Sequence, residues 1–190
     1  MRFPYVAAAL AGTVALSGCA ATGVSTVGQK DALYRTNHND YALNGRDVFV
    51  IVEGGYGADK PAFRQAVVQT MDRYRSGMNT NFTTSPRNNV NNDYKVVMLF
   101  NGPQSVQAHQ LCANPEQFST VQPIVGADTH VLAAFCQYDA PLTSVNGRAA
   151  GVTSVADARF ASLIQQTMTD LFPSSDERPQ RDSDGGDSVP

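Results

Sequence analysis

Three short runs along the chain are almost wholly apolar. "VFVIV" lies between Asp47 and Glu53, "VVMLF" follows Tyr94 and Lys95, and "VLAAFC" follows Thr129 and His130. Runs of this length, bounded by polar residues, read as buried strands at Asp47–Glu53, Tyr94–Phe100 and Thr129–Tyr138. Two other stretches have helical spacing. Phe63, Val67, Met71 and Tyr74 share one face; Asp59 can cap that helix, Pro61 is tolerated in its first turn, and Gly77 can stop it. Phe160, Leu163, Ile164, Met168 and Leu171 form a second stripe that Pro173 ends, and Ser154 and Asp157 precede it at capping-box spacing. Between these lie weaker signals. "TNFTTS" reads as a polar strand, "PRNNVNND" as a loop, and Pro103–Leu111 as a short helix.

The predicted order is β-α-β-β-α-β with a further helix. This is an α+β pattern: a mixed or antiparallel sheet with helices on one face, in the order of the ferredoxin-like, split βαβ arrangement. That arrangement puts "VFVIV" and "VVMLF" at the sheet centre and "TNFTTS" at an edge. It also puts "VLAAF" at the other edge, where it is too apolar to stand exposed. An additional strand near Phe118–Val125, or a bound partner, would cover it.

The first residues have a different character. Arg2 precedes an alanine-rich apolar run, Val6–Leu16, too short to cross a bilayer, which takes about 20 residues. It reads as an export signal. Its end, "LSGC", places two small residues before Cys19 and resembles the lipobox of bacterial lipoproteins. The resemblance implies a signal peptide at 1–18 and a diacylglycerol on the Cys19 thiol. It further implies cleavage before Cys19 and acylation of the new N-terminus. Acyl chains hold a protein on a membrane without spanning it, at about 0.8 kcal/mol per buried CH₂. In such lipoproteins an aspartate after the cysteine favours inner-membrane retention; Ala20 instead favours the periplasmic face of the outer membrane. Residues 19–44, polar and aperiodic, read as the lipidated N-terminus and a flexible tether, 45–173 as one α+β domain, and 174–190 as a disordered acidic tail.

Charge narrows the partners. The formal net charge is −3, and loss of Arg2 with the signal moves it to −4. The tail alone carries five acids against two arginines. No basic footprint for nucleic acid is present.

The remaining cysteines, Cys112 and Cys136, are an even pair in a chain bound for an oxidising compartment, so a disulfide is expected. With His109 and His130 they also form a two-His, two-Cys set, but not at the spacing of structural zinc sites. "EGGYGADK" follows a strand and opens a helix, yet Lys60 stands where a dinucleotide motif has its last glycine; a turn with an aspartate cap accounts for it. "DSDGGD" is a truncated calcium loop, better read as solvated acid. G-x-S-x-G, H-E-x-x-H and C-x-x-C are absent. No cofactor is implied. With those motifs absent, the lipobox resemblance implies a non-enzymatic envelope lipoprotein, a binding or assembly module with an envelope protein partner. The other reading is a periplasmic hydrolase using Glu53, His109 and His130 from loops after the strands.

Overall fold

The computed structural model describes residues 23–56, 59–74, 78–87, 89–120 and 128–174. The expected signal peptide, Cys19, Ala20, Gly57, Gly77 and the expected acidic tail beyond Ser174 lie outside them.

Six strands form one mixed sheet. They are β1 (Val24–Lys30), β2 (Arg46–Gly54), β3 (Thr80–Thr83), β4 (Tyr94–Phe100), β5 (Asp128–Gln137) and β6 (Ala140–Ala150), in the spatial order β1-β6-β5-β4-β2-β3. The helices are α1 (Asn37–Leu43), α2 (Lys60–Arg73), α3 (Ala108–Ala113) and α4 (Ala158–Leu171), with a 3-10 turn at Pro115–Phe118. β2 pairs parallel with both β3 and β4, and the other pairings are antiparallel. Parallel pairing needs a crossover, and α2 supplies it between β2 and β3.

The α+β class and the three strong strands stand as read from the sequence. The strand order does not. β3 pairs directly beside β2, so the βαβ unit is not split in the ferredoxin-like way. β5 is internal, covered by β6, which follows it across Tyr138 and Asp139. The cover is thus a hairpin partner; of the strand expected near Phe118–Val125, Phe118 ends a 3-10 turn and residues 121–125 lie outside the described residues.

Much of the expected tether is also folded. β1 pairs along its whole length with β6, and Tyr34, Ala42 and Leu43 are buried in the main core. The domain therefore begins at or before Val24, not at residue 45. Polar β1 has no apolar run to announce it; its place is fixed by β6 on one side and α4 over one face.

α2 and α4 pack on one face of the sheet. Phe63 of α2, Phe100 of β4 and Phe160 of α4 meet there, with ring centroids 5.1 to 6.1 Å apart. The helix starts show how local chemistry fixes the ends. Asp59 accepts from the Ala62 amide at 3.0 Å. For α4 the cap is Asp157, which accepts from the Arg159 amide at 2.9 Å, while Ser154 accepts from Ala156 in the preceding turn. Ser154 is too far upstream because the chain first forms a turn there. α3 starts at Ala108, later than Pro103; Gln107 and Gln110 exchange capping bonds across its first turn. It lies on the opposite face of the sheet, so the helices are not all on one side.

Candidate functional site

The face opposite α2 and α4 holds a small second core. Val97, Leu99, Leu111, Phe118 and Ala134 cluster there with Cys112 and Cys136. Cys112 of α3 and Cys136 of β5 are disulfide-bonded, with Cα atoms 5.7 Å apart. The bridge staples the six-residue α3 to the sheet. It also takes both thiolates out of any zinc set, and among the described residues no group of three or more His, Cys, Asp or Glu gathers to hold a metal.

Beyond α3 this face is open over β5, β6 and β1. Two adjoining hollows of about 490 and 350 Å³ lie there and share Gln104, Val106, Leu132 and Asn146. His109, Gln107, Gln29 and Ser144 line the first; His130, Arg148 and Ser25 line the second. Alternation along the strands produces this. Val131, Ala133, Val145 and Ala149 point into the main core, so His130, Leu132, Asn146 and Arg148 point away from it. Asn101, with φ 52°, ties the end of β4 to β5 beside this hollow: its backbone amide donates to His130 O, and its Oδ1 accepts from His130 N at 2.9 Å.

The electrostatics are modest. Arg148 donates to Asp128 through Nε at 2.9 Å and also through Nη2, and the Gly151 amide adds a further bond. The Arg148 hydrogen bonds, helped by that amide, hold the Asp128 carboxyl below the usual carboxylate range. Neither His109 nor His130 has a side-chain hydrogen bond to a carboxylate or hydroxyl among the described residues. The groove presents amides and hydroxyls beside the imidazoles of His109 and His130, the charged Lys30, Asp31 and Arg148, and the apolar Val106 and Leu132.

Of the three hydrolase candidates, His109 and His130 reach this groove and Glu53 does not. Glu53, at the end of β2, is buried and accepts from Arg64 Nη2 through both oxygens at 3.2 and 3.1 Å. Arg64 Nε also donates to Val52 O at 2.8 Å. This is a structural ion pair that ties α2 to β2. The glycines after it have steric reasons. Gly54 has φ +73°, and a Cβ there would lie 1.9 Å from Phe100 O; at Gly55, φ +106°, it would lie 2.5 Å from the Phe63 ring. Lys60 donates to Ser119 O at 2.6 Å and is not aimed at that turn.

The amide-lined groove was not visible in the sequence. Its residues come from β1, β5, β6, the loop before α3 and the start of α3, and of these only β5 and α3 are predicted from the sequence. The alternation of Thr143, Val145, Gly147 and Ala149 with polar neighbours was the available signal.

The domain is thus an α+β fold on a six-stranded mixed sheet, with a disulfide-braced, open second face. No protein-family description and no curated protein matches the chain. Among solved structures it resembles a PelC dodecamer from Paraburkholderia phytofirmans, with TM-score 0.44 and 12% identity over 78% of this chain and 96% of that one. A variant PelC dodecamer from the same organism gives TM-score 0.42 and 14% identity at the same coverage. Similarity at this level assigns no function.

Proposed function

We propose that this chain is a bacterial envelope lipoprotein, anchored through Cys19, whose domain is a non-enzymatic binding or assembly module. The observation that carries the anchor is "LSGC" directly after a short apolar run. Among the described residues no helix is long and apolar enough to cross a membrane. Support for a module comes from the open groove, whose mixed lining of amides, hydroxyls, charged groups and apolar side chains suits a broad contact surface, and from Glu53 being committed to Arg64.

The early start of β1 changes what such an anchor would do. Only four residue steps separate Cys19 from Gly23, a reach of at most about 14 Å. Gly23 O accepts from the Ala150 amide, so the chain enters beside the end of β6. A lipid on Cys19 would hold that pole of the sheet, with Asp128 and Arg148, close to the membrane surface, and not on a long leash.

Labelling with an alkyne fatty acid tests the anchor. Wild type should label and lose residues 1–18 by intact mass, and Cys19→Ser should not label. Unlabelled mature wild type would overturn the proposal. Ala20→Asp should move the protein toward the inner-membrane fraction if the outer membrane is its address.

A further inference from the structure

Five strand ends meet at the pole of the sheet where the chain enters. β1 and β5 start there, and β2, β4 and β6 end there. Gly23 O accepts from the Ala150 amide, Asn101 N donates to His130 O, and the Gly151 amide donates to Asp128 Oδ1 at 3.2 Å. These bonds gather two loops at the pole, residues 102–107 after β4 and 151–157 after β6.

The loop tips carry no charge. "GPQSVQ" at 102–107 and "GVTSVA" at 151–156 hold glycine, proline, aliphatic and neutral polar residues. Pro103, Gln104, Ser105, Thr153 and Ala156 are exposed, and Val155 is 37% exposed. The described charges at this pole are engaged: Arg148 with Asp128, Arg159 with Asp157, Arg64 with Glu53, Asp59 as the α2 cap, and Lys60 on Ser119 O. Cys19 is followed by "AATGVSTVGQ", so the first charge after the expected anchor is Lys30, at the far end of β1. Charges stand out at the other pole: Asp31 and Arg35 after β1, Arg87 and Asp93 before β4, and Asp139 in the β5–β6 hairpin, its side chain 77% exposed.

We propose that residues 102–107 and 153–156 rest on the membrane surface, so that the sheet stands on this pole with its strands steep to the bilayer. The proposal depends on the lipid-anchor reading. An acylated Cys19 leaves four residue steps to Gly23, at most about 14 Å, so this pole is the one that can touch the bilayer. Charge loses water on such contact at a cost, and neutral tips avoid that cost. Tipping the domain onto the β1 edge would instead bring the carboxylates of Asp31 and of Asp170, which accepts from Thr26 Oγ1, to the bilayer. Upright, the eleven residues of β6 lift the Tyr138–Asp139 turn about 35 Å above the contact. The groove then runs up one side. Its second hollow, with Ser25, His130 and Arg148, lies next to the bilayer; its first, with Gln29, His109 and Ser144, lies above it and opens sideways to a partner.

Fluorescence quenching tests this orientation. The full chain is purified in detergent and returned to vesicles of phosphatidylethanolamine and phosphatidylglycerol that include a lipid with a nitroxide on its headgroup. With Cys19 acylated and Cys112 bridged to Cys136, one introduced cysteine is the site for a maleimide dye. Ser105, Val155, Gln29 and Asp139 are all exposed, so their cysteine variants should melt as wild type does. Dye at Ser105→Cys and Val155→Cys should be quenched several-fold more than dye at Gln29→Cys, and dye at Asp139→Cys least of all. Quenching at Gln29→Cys equal to that at Val155→Cys would mean that the domain lies on its side. Quenching at neither loop would mean that it stands off the bilayer, and quenching strongest at Asp139→Cys would mean that it is inverted. Each of these overturns the proposal while leaving the anchor intact. Failure of the anchor reads differently: wild type would take up the maleimide at Cys19 and stay off the vesicles, which overturns both.

Discussion

The two faces of the sheet are built on different principles. Under α2 and α4 the core is thick and aromatic: Phe63, Phe100 and Phe160 interlock, and a second ring set joins Phe82, Phe135 and Phe172. Under α3 the core is small, covers part of the face, and depends on one covalent bond. A six-residue helix buries too little apolar surface to hold itself in place, whereas two fourteen-residue helices do not need a staple. The closed face can provide stability, which leaves the braced face free to expose a polar groove.

The largest effect should come from the closed face. Phe160 is fully buried and touches the rings of Tyr56, Phe63 and Phe100. Phe160→Ala removes the contact that α4 makes with both α2 and β4, and should cost about 4 kcal/mol. Denaturant unfolding would show it as a fall in midpoint with little change in slope. A loss below about 1 kcal/mol would mean that the aromatic cluster is not what holds this face.

The braced face should lose somewhat less, and for a different reason. The bridge closes a loop with a sequence separation of 24. Cys112→Ser frees that loop in the unfolded chain and should cost about 3 kcal/mol in the chain-entropy description. It should also leave Cys136 reactive to a thiol probe after denaturation, while denatured, unreduced wild type shows neither Cys112 nor Cys136 reactive. Under a native-state probe, α3 should loosen first, with α2 and α4 still protected.

At the boundary of the closed face, Arg64→Ala would strand the Glu53 carboxylate, whose residue is 6% exposed. The Arg64 side chain is about a third exposed, which screens the pair, so a loss of about 2 kcal/mol is expected, short of the full cost of orphaning a deeply buried charge. The double change Glu53→Gln with Arg64→Ala should recover part of it, because a neutral amide costs less to leave unpaired.

The closed face was largely legible in the sequence, because its signals are local. The Val48–Val52 run, the Phe63–Met71 spacing and the Phe160–Leu171 stripe each carry their own period. Asp59 announces its helix because a capping side chain acts within three residues. The open face was not legible. β1 is polar because one face and one edge are exposed, so no apolar run forms. β6 carries Asn146–Gly147, a pair with the composition of a turn, in mid-strand. Gly147 is there for a long-range reason: a Cβ would come within 2.8 Å of Leu163 on α4 and 2.9 Å of Val131 on β5. The disulfide was legible because its expectation needed only an even count of cysteines and an expected oxidising compartment.

The contrast between the faces can be tested within one strand at two adjacent residues. Val145 is fully buried and packs in the main core, while Asn146 is exposed toward the groove. Val145→Ala removes two methyl groups from a packed interior and should cost about 2 kcal/mol. Asn146→Ala removes an amide with no side-chain hydrogen bond among the described residues, and should change stability by less than about 0.5 kcal/mol. Because β6 runs through the middle of the β1-β6-β5 ladder, both substitutions sit in equally paired backbone, and any difference belongs to the side chains. In a domain of this size, thermal melts should separate them by about 3 to 6 °C. Equal losses at both positions would mean that the groove face is packed in solution, and the division between a closed core and an open binding surface would fail.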